Sequence, residues 1–132
     1  MKYLLDTCVV SDFVKGQPGV LARVKATAPN LIGVSSVTRM EVEYGLALNA
    51  ERAKKLAPVL DAFFSSIATL PFDETDAQAA AGIRATLKTK GQPIGAYDVL
   101  IAGMGLARGL VVVTSNVGEF QRVSGLRVEN WR

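Results

Sequence analysis

The 132-residue chain contains no histidine and a single cysteine, Cys8. Without histidine there is no His-based triad, no imidazole general base and no His-ligated metal site. Any catalytic metal has to rest on carboxylates, which favour hard ions such as Mg²⁺ or Mn²⁺. One cysteine cannot close an intrachain disulfide, which points to a reducing compartment. Long hydrophobic runs are also missing. The longest uncharged apolar stretch, Val99 to Ala107, stops at Arg108, far short of the roughly 20 residues that span a bilayer. The opening MKYLLDTC carries too short an apolar run for a signal peptide. The expectation is a soluble, cytoplasmic protein with no membrane partner.

What is present describes an ordinary globular domain. Hydrophobic residues make up 49% and charged residues 20% of the chain, a balance that excludes a disordered tail protein. Fifteen Lys and Arg stand against twelve Asp and Glu, a net charge of +3 that suits a nucleic-acid partner without demonstrating one. No repeat, low-complexity tract or linker divides the sequence. Short apolar runs at Lys2–Leu5, Leu31–Val34, Ile67–Pro71 and Leu110–Val113 read as buried parallel strands, with a weaker fifth at Leu126–Val128. Helical patterns lie between them. Gln17–Ala28 has Pro18 near its start, Ser36–Leu48 has Thr38 and Glu41 in a capping arrangement, and Glu51–Ser65 follows. Glu74–Lys88 opens after Asp73, and Ala96–Arg108 stops at Gly109. Strands alternating with helices predict an α/β sandwich, a central and mainly parallel sheet of four to five strands covered on both faces.

Ligands in such sheets bind beyond the carboxyl ends of the strands. Three expected strand ends are polar: Asp6-Thr7, Ser35-Ser36 and Thr114-Ser115-Asn116. Asp6 reads equally as a cap for the next helix and as a cleft ligand, and the two roles are compatible. Glu41 lies one turn into the helix after the second strand, near the same rim, whereas Glu43 points elsewhere. Asp98 is the most telling acid. It sits early in the apolar helix AYDVLIAGM, where a buried carboxylate needs a cation, several donors, a metal or the helix dipole. Glu119 is a fourth acid after the late strand. Thr7 and Thr114 offer hydroxyls to hold a carboxylate or a water, and Asn116 an amide. Together these acids would repel one another without a cation, and carboxylates holding Mg²⁺ are what phosphodiester hydrolysis uses. Other patterns fail. Gly103-Met104-Gly105 with Gly109 follows no strand, no GxxxxGK[ST] occurs, and Cys8 breaks the DxD of dehalogenase-type phosphatases.

Four segments in order carry a resemblance: LLDTCVVSDFVKG at the start, SSVTRMEVEYG around Glu41, GQPIGAYDVLIAGMGLARGL around Asp98 and VVVTSNVGEFQRVSGLRVENW at the end. Along nearly its whole length the chain resembles PIN-domain ribonucleases of the VapC toxin family, and its last two segments resemble most the subgroup that cuts initiator tRNA in the anticodon stem-loop. The resemblance implies one PIN domain over residues 1–132, a three-layer sandwich, and a Mg²⁺- or Mn²⁺-dependent endoribonuclease. The family's metal-binding acids match Asp6 and Asp98, and its helix acid matches Glu41. Many relatives have a fourth Asp where this chain has Asn116, which leaves Glu119 as the substitute and the metal count open. The family also implies a homodimer and a VapB-type antitoxin lying across the acidic cleft, with operator DNA reached only through that complex. Arg84, Lys88 and Lys90 are expected either to track an RNA backbone or to form a solvated helix face. Two rival functions stand beside this one: a dehalogenase-type phosphatase with Asp6 as nucleophile, and a catalytically silent RNA- or antitoxin-binding module.

Overall fold

The computed structural model describes residues 1–132. Five short parallel strands form one sheet: β1 (Tyr3–Leu5), β2 (Ile32–Ser35), β3 (Ala68–Leu70), β4 (Val111–Val113) and β5 (Arg127–Glu129), in the order β3-β2-β1-β4-β5. From central β1, β2 and β3 step outward on one side, and β4 and β5 step outward on the other. The sheet therefore changes winding direction at the β1–β4 boundary, where ligand clefts open in this architecture. All five expected strands are present, and every pairing is parallel.

Side-chain alternation divides the core between the two faces. Leu4 and its register partner Val112 join Ile83, Leu87, Ile101 and Met104 beneath α5 (Glu74–Thr89) and α6 (Ala96–Arg108). Leu5 and its partner Val113 join Val9, Val20, Leu60 and Phe63 on the opposite face. That face is covered by α1 (Thr7–Val14), α2 (Pro18–Ala26) and α4 (Ala50–Ser66). Leu4, Leu5, Val112 and Val113 have no exposed surface, and each such side chain contributes about 1.5–3 kcal/mol by burial. Apolar strands of three or four residues thus suffice, because both faces are covered.

Helix boundaries follow local chemistry. Asp73 caps α5 in a reciprocal box with Asp76, and Gly109 ends α6 at φ 65°, a left-handed position that suits glycine. Two sequence expectations are corrected, and one element is added. The helix α3 (Ser36–Ala47) is capped by Ser35, whose hydroxyl accepts the Val37 N–H at 2.9 Å, so Thr38 and Glu41 form no capping pair. The α2 segment is shorter than expected and is capped by the Gln17 side chain, with a 3-10 turn at Pro29–Leu31 before β2. A short helix, α7 (Val117–Phe120), was not legible at all. No helix is long and apolar enough to cross a membrane.

Candidate active site

The carboxyl ends of β1 and β4 place Asp6 and Thr114 side by side. Asp6 caps α1, its Oδ1 accepting the Thr7 N–H at 2.8 Å, while its Oδ2 accepts the Thr114 hydroxyl at 2.8 Å. It is thus both helix cap and cleft acid, 5% exposed. Thr114 also accepts the Asn116 N–H at 3.0 Å. Cys8 stands half-buried beside this pair, its Sγ 3.5 Å from Asp6 Oδ2 and 3.5 Å from Thr114 Oγ1.

Glu41 reaches the same region from α3. The Thr7 hydroxyl donates to its Oε1 at 2.8 Å, which ties the first turn of α1 to α3. Asp98 lies in the first turn of α6 and Glu119 in α7. The Asn116 amide joins the latter two, donating to Asp98 Oδ2 at 3.4 Å and to Glu119 Oε2 at 2.8 Å. Gly95, which caps α6, leaves room for Asp98: a Cβ there would stand 3.0 Å from Asp98 Oδ2.

The charges of these acids are felt across the cleft. Burial chiefly, then a hydrogen bond to Glu119 and the charges of Asp6, Glu119 and Glu41, push the Asp98 carboxyl up to about 7. Glu119 moves the other way, held below its usual range first by the Asp98 hydrogen bond and then by Asn116, the Gly95 N–H and Arg122, against a smaller effect of burial. Their contact thus moves the two carboxyls in opposite directions. None of Asp6, Glu41, Asp98 or Glu119 has an ion-pair partner among the protein's cations, which pair instead as Arg23–Glu129, Arg39–Glu43, Arg108–Asp73/Asp76 and Arg132–Asp12.

The donor set is all oxygen and carries excess negative charge, which fits a hard divalent cation in kind. As placed, no group of three acids stands in position to hold one ion. Of the sequence-selected residues, Asp6, Thr7, Glu41, Asp98, Thr114, Asn116 and Glu119 come together. Ser35 and Ser36 do not: Ser35 caps α3, and the Ser36 hydroxyl accepts the Phe72 N–H at 3.1 Å. Arg84 and Lys88 line a groove with Pro93, Ile94 and Ala96, whereas Lys90 faces another hollow beside Arg122. Thr38 is the residue that sequence reasoning missed. It is wholly buried, and its hydroxyl lies 3.2 Å from that of Thr7. Its position three residues before Glu41, on the same helix face, was the available signal.

The PIN domain matches residues 3–126. The chain is 37% identical, over 99% of its length and 98% of the relative's, to the tRNA(fMet)-specific endonuclease VapC of Shigella flexneri. It belongs to the VapC family of PIN-domain proteins. A second relative, ribonuclease VapC2 of Haemophilus influenzae, is 36% identical over 99% of this chain and 98% of its own. Among solved structures, DNA-bound VapBC from Salmonella typhimurium superposes with a TM-score of 0.91 at 37% identity, covering 100% of this chain and 99% of that one. VapBC2 from Rickettsia felis, bound to a DNA fragment from its promoter, gives a TM-score of 0.91 at 29% identity, with both chains fully covered. The expected PIN-like α/β sandwich is thus the observed fold. Membership of the VapC family removes the fold on which the dehalogenase-type alternative rested.

Proposed function

We propose that this chain is the toxin of a VapBC-type toxin–antitoxin pair and a cytoplasmic, Mg²⁺- or Mn²⁺-dependent endoribonuclease acting on tRNA, with initiator tRNA and its anticodon stem-loop the first substrate to test. One observation carries the reading: four carboxylates from α3, α6, α7 and the β1–α1 junction face one cleft with no basic side chain paired to them, and the Asp98 carboxyl registers their charge. Asp6, Glu41 and Asp98 would hold the ion, with Glu119 assisting. When bound, a divalent cation lowers the pKa of the attacking water and offsets charge on the phosphate and the leaving oxygen.

The remaining work belongs to the chain itself. The Thr114 hydroxyl and the Thr7 N–H fix both oxygens of Asp6. The Thr7 hydroxyl fixes Oε1 of Glu41 and leaves Oε2 without a protein partner. Asn116 holds Asp98 and Glu119 next to each other. Hydrolysis by this route leaves a 5′-phosphate and a 3′-hydroxyl. The names of the relatives support tRNA as substrate, and the VapBC complexes support a VapB-type antitoxin, with operator DNA engaged through that complex. The acid cleft is the place for a basic antitoxin residue, and a homodimer is the toxin's expected state.

The test is incubation of purified, antitoxin-free protein with bulk tRNA in Mg²⁺, beside EDTA and Asp6→Ala samples. Discrete fragments that vanish in both controls are expected. Intact tRNA in the presence of demonstrated metal binding would overturn the reading in favour of a silent binding module.

A further inference from the structure

The acid cleft must accept a polyanion while carrying negative charge itself, so cations beside it matter for binding. Lys15, Arg52 and Lys55 take no part in any ion pair of the protein. All three are exposed and line a hollow of about 580 Å³ where the end of α1 meets the start of α4. Arg52 also lines the adjoining groove between α1, α3 and α4, whose walls include Thr7 and Glu41. One continuous surface therefore leads from the Glu41 side of the acid cleft, past Arg52, to Lys15 and Lys55. Glu51 is the one acid among the residues of the outer hollow, so its charge remains positive.

We infer that this surface is a phosphate track: with the scissile phosphate at the acids, the RNA strand continues along the α1–α4 groove, and Lys15, Arg52 and Lys55 hold its next phosphates. The inference rests on the ribonuclease reading above and adds a binding surface to it. Its chemistry also sets its limits. No aromatic side chain lines either groove, so no base-stacking platform exists there. The contacts are to backbone phosphate, which positions a strand and supplies affinity without reading sequence. Arg84 and Lys88 line a separate groove between α5 and α6 that includes none of the four acids.

Counterion release makes the track measurable. Each phosphate contact on a single strand contributes about −0.7 to the slope of log K against log salt. The experiment measures binding of fluorescein-labelled bulk tRNA in EDTA, where no cleavage occurs, across a KCl series. Wild-type protein is compared with Arg52→Ala, with Lys15→Ala/Arg52→Ala/Lys55→Ala, and with the control Lys25→Ala/Lys54→Ala, which removes two charges outside the track. The triple variant is expected to lose about 2 from the magnitude of the slope and on the order of tenfold in affinity at about 0.15 M salt. Arg52→Ala should lose about a third of that slope change, and the control should match wild type. In Mg²⁺ the triple variant should show a raised KM with kcat preserved. Unchanged slope in the triple variant, while wild type binds and cleaves, would overturn the track alone and assign that surface to a protein partner. An equal loss in the control would overturn it in favour of general charge. Wild-type protein that neither binds nor cleaves tRNA would overturn the ribonuclease reading, and the track with it.

Discussion

The Thr7 hydroxyl donates to Glu41 Oε1 at 2.8 Å while lying 3.2 Å from the Thr38 hydroxyl. A hydroxyl has one hydrogen to donate, so Thr7 serves one of these two oxygens at a time, and the nearer, charged Glu41 carboxylate is the stronger acceptor, with buried Thr38 packed against the hydroxyl from the interior of α3. Orienting partners of this kind are worth about 10–100-fold in metal affinity or activity. Thr7→Val should lower ribonuclease activity by about that factor, and Thr7→Ser should restore most of it. Thr38→Val should produce a smaller loss together with about 1 kcal/mol of destabilisation. Turnover of a tRNA substrate and urea melts of the same samples separate the two effects. Full activity in Thr7→Val would show that Glu41 needs no such support.

Asp98 makes stability depend on pH in a particular direction. Its folded-state pKa of about 7 lies above the ordinary value, which is about 3.9 in an unfolded chain. Between those values the folded chain keeps a proton that the unfolded chain has released. Stability from this group is therefore fully present below about pH 4 and declines as pH rises to about 7. In EDTA, the Asp98→Asn variant should lose that decline and be more stable than wild type at pH 8. Mn²⁺ should raise the Tm of wild type more at pH 8 than at pH 5.5, because binding requires the deprotonated acid. Thermal melts at both pH values, with and without Mn²⁺, check each statement.

Asn116 links two of the cleft acids. Its amide donates to both Asp98 and Glu119, so Asn116→Asp exchanges a shared donor for a third carboxylate. Less stability in EDTA and tighter Mn²⁺ binding by calorimetry are expected together, since the same repulsion drives both. Tighter binding with no loss in EDTA would mean that the amide contributes little to holding the two acids.

Away from the cleft, Arg108 at the end of α6 clamps the start of α5. Its guanidinium donates to both oxygens of Asp76, at 3.1 and 2.8 Å, and to the Pro71 carbonyl at 2.7 Å. Asp76 is 1% exposed. Removing the partner of a buried charge is expensive, so Arg108→Ala should destabilise the chain by roughly 3 kcal/mol. The Arg108 hydrogen bond holds the Asp76 carboxyl below its usual value. Its stabilisation is thus complete above the unfolded pKa of about 3.9 and disappears as pH falls through the lower folded value. Acid titrations of wild type and Arg108→Ala, followed by circular dichroism, should show that limb of the curve flattened in the variant.

Much of the site was legible because its residues interrupt patterns. Asp6 ends an apolar strand and Asp98 breaks an apolar helix, and each demands an explanation that only charge chemistry supplies. Glu41 was less visible, since a lone Glu on a helix is ordinary surface. Thr38 was invisible as a partner because a buried threonine on an amphipathic helix looks like packing. Lys15, Arg52 and Lys55 were scattered among ordinary surface cations until the fold set α1 against α4. In contrast, Lys90 was grouped with Arg84 and Lys88 by proximity in sequence, yet the helical turn sends it to a different hollow.

By itself, the sequence determined the alternation of strands and helices, the absence of imidazole and thiol pairs, and hence an oxygen-only chemistry at the strand ends. Those follow from composition and local periodicity, which depend on near neighbours along the chain. Only the tertiary structure decided the strand order β3-β2-β1-β4-β5, and with it which strand ends meet. Thr114 touches Asp6 across 108 positions of sequence because β4 pairs with β1 in register. Asn116, just before α7, reaches Asp98 in the first turn of α6 across 18 positions of sequence. The opposite shifts of Asp98 and Glu119 come from that crowding, since Coulomb repulsion and desolvation act through space and not along the chain.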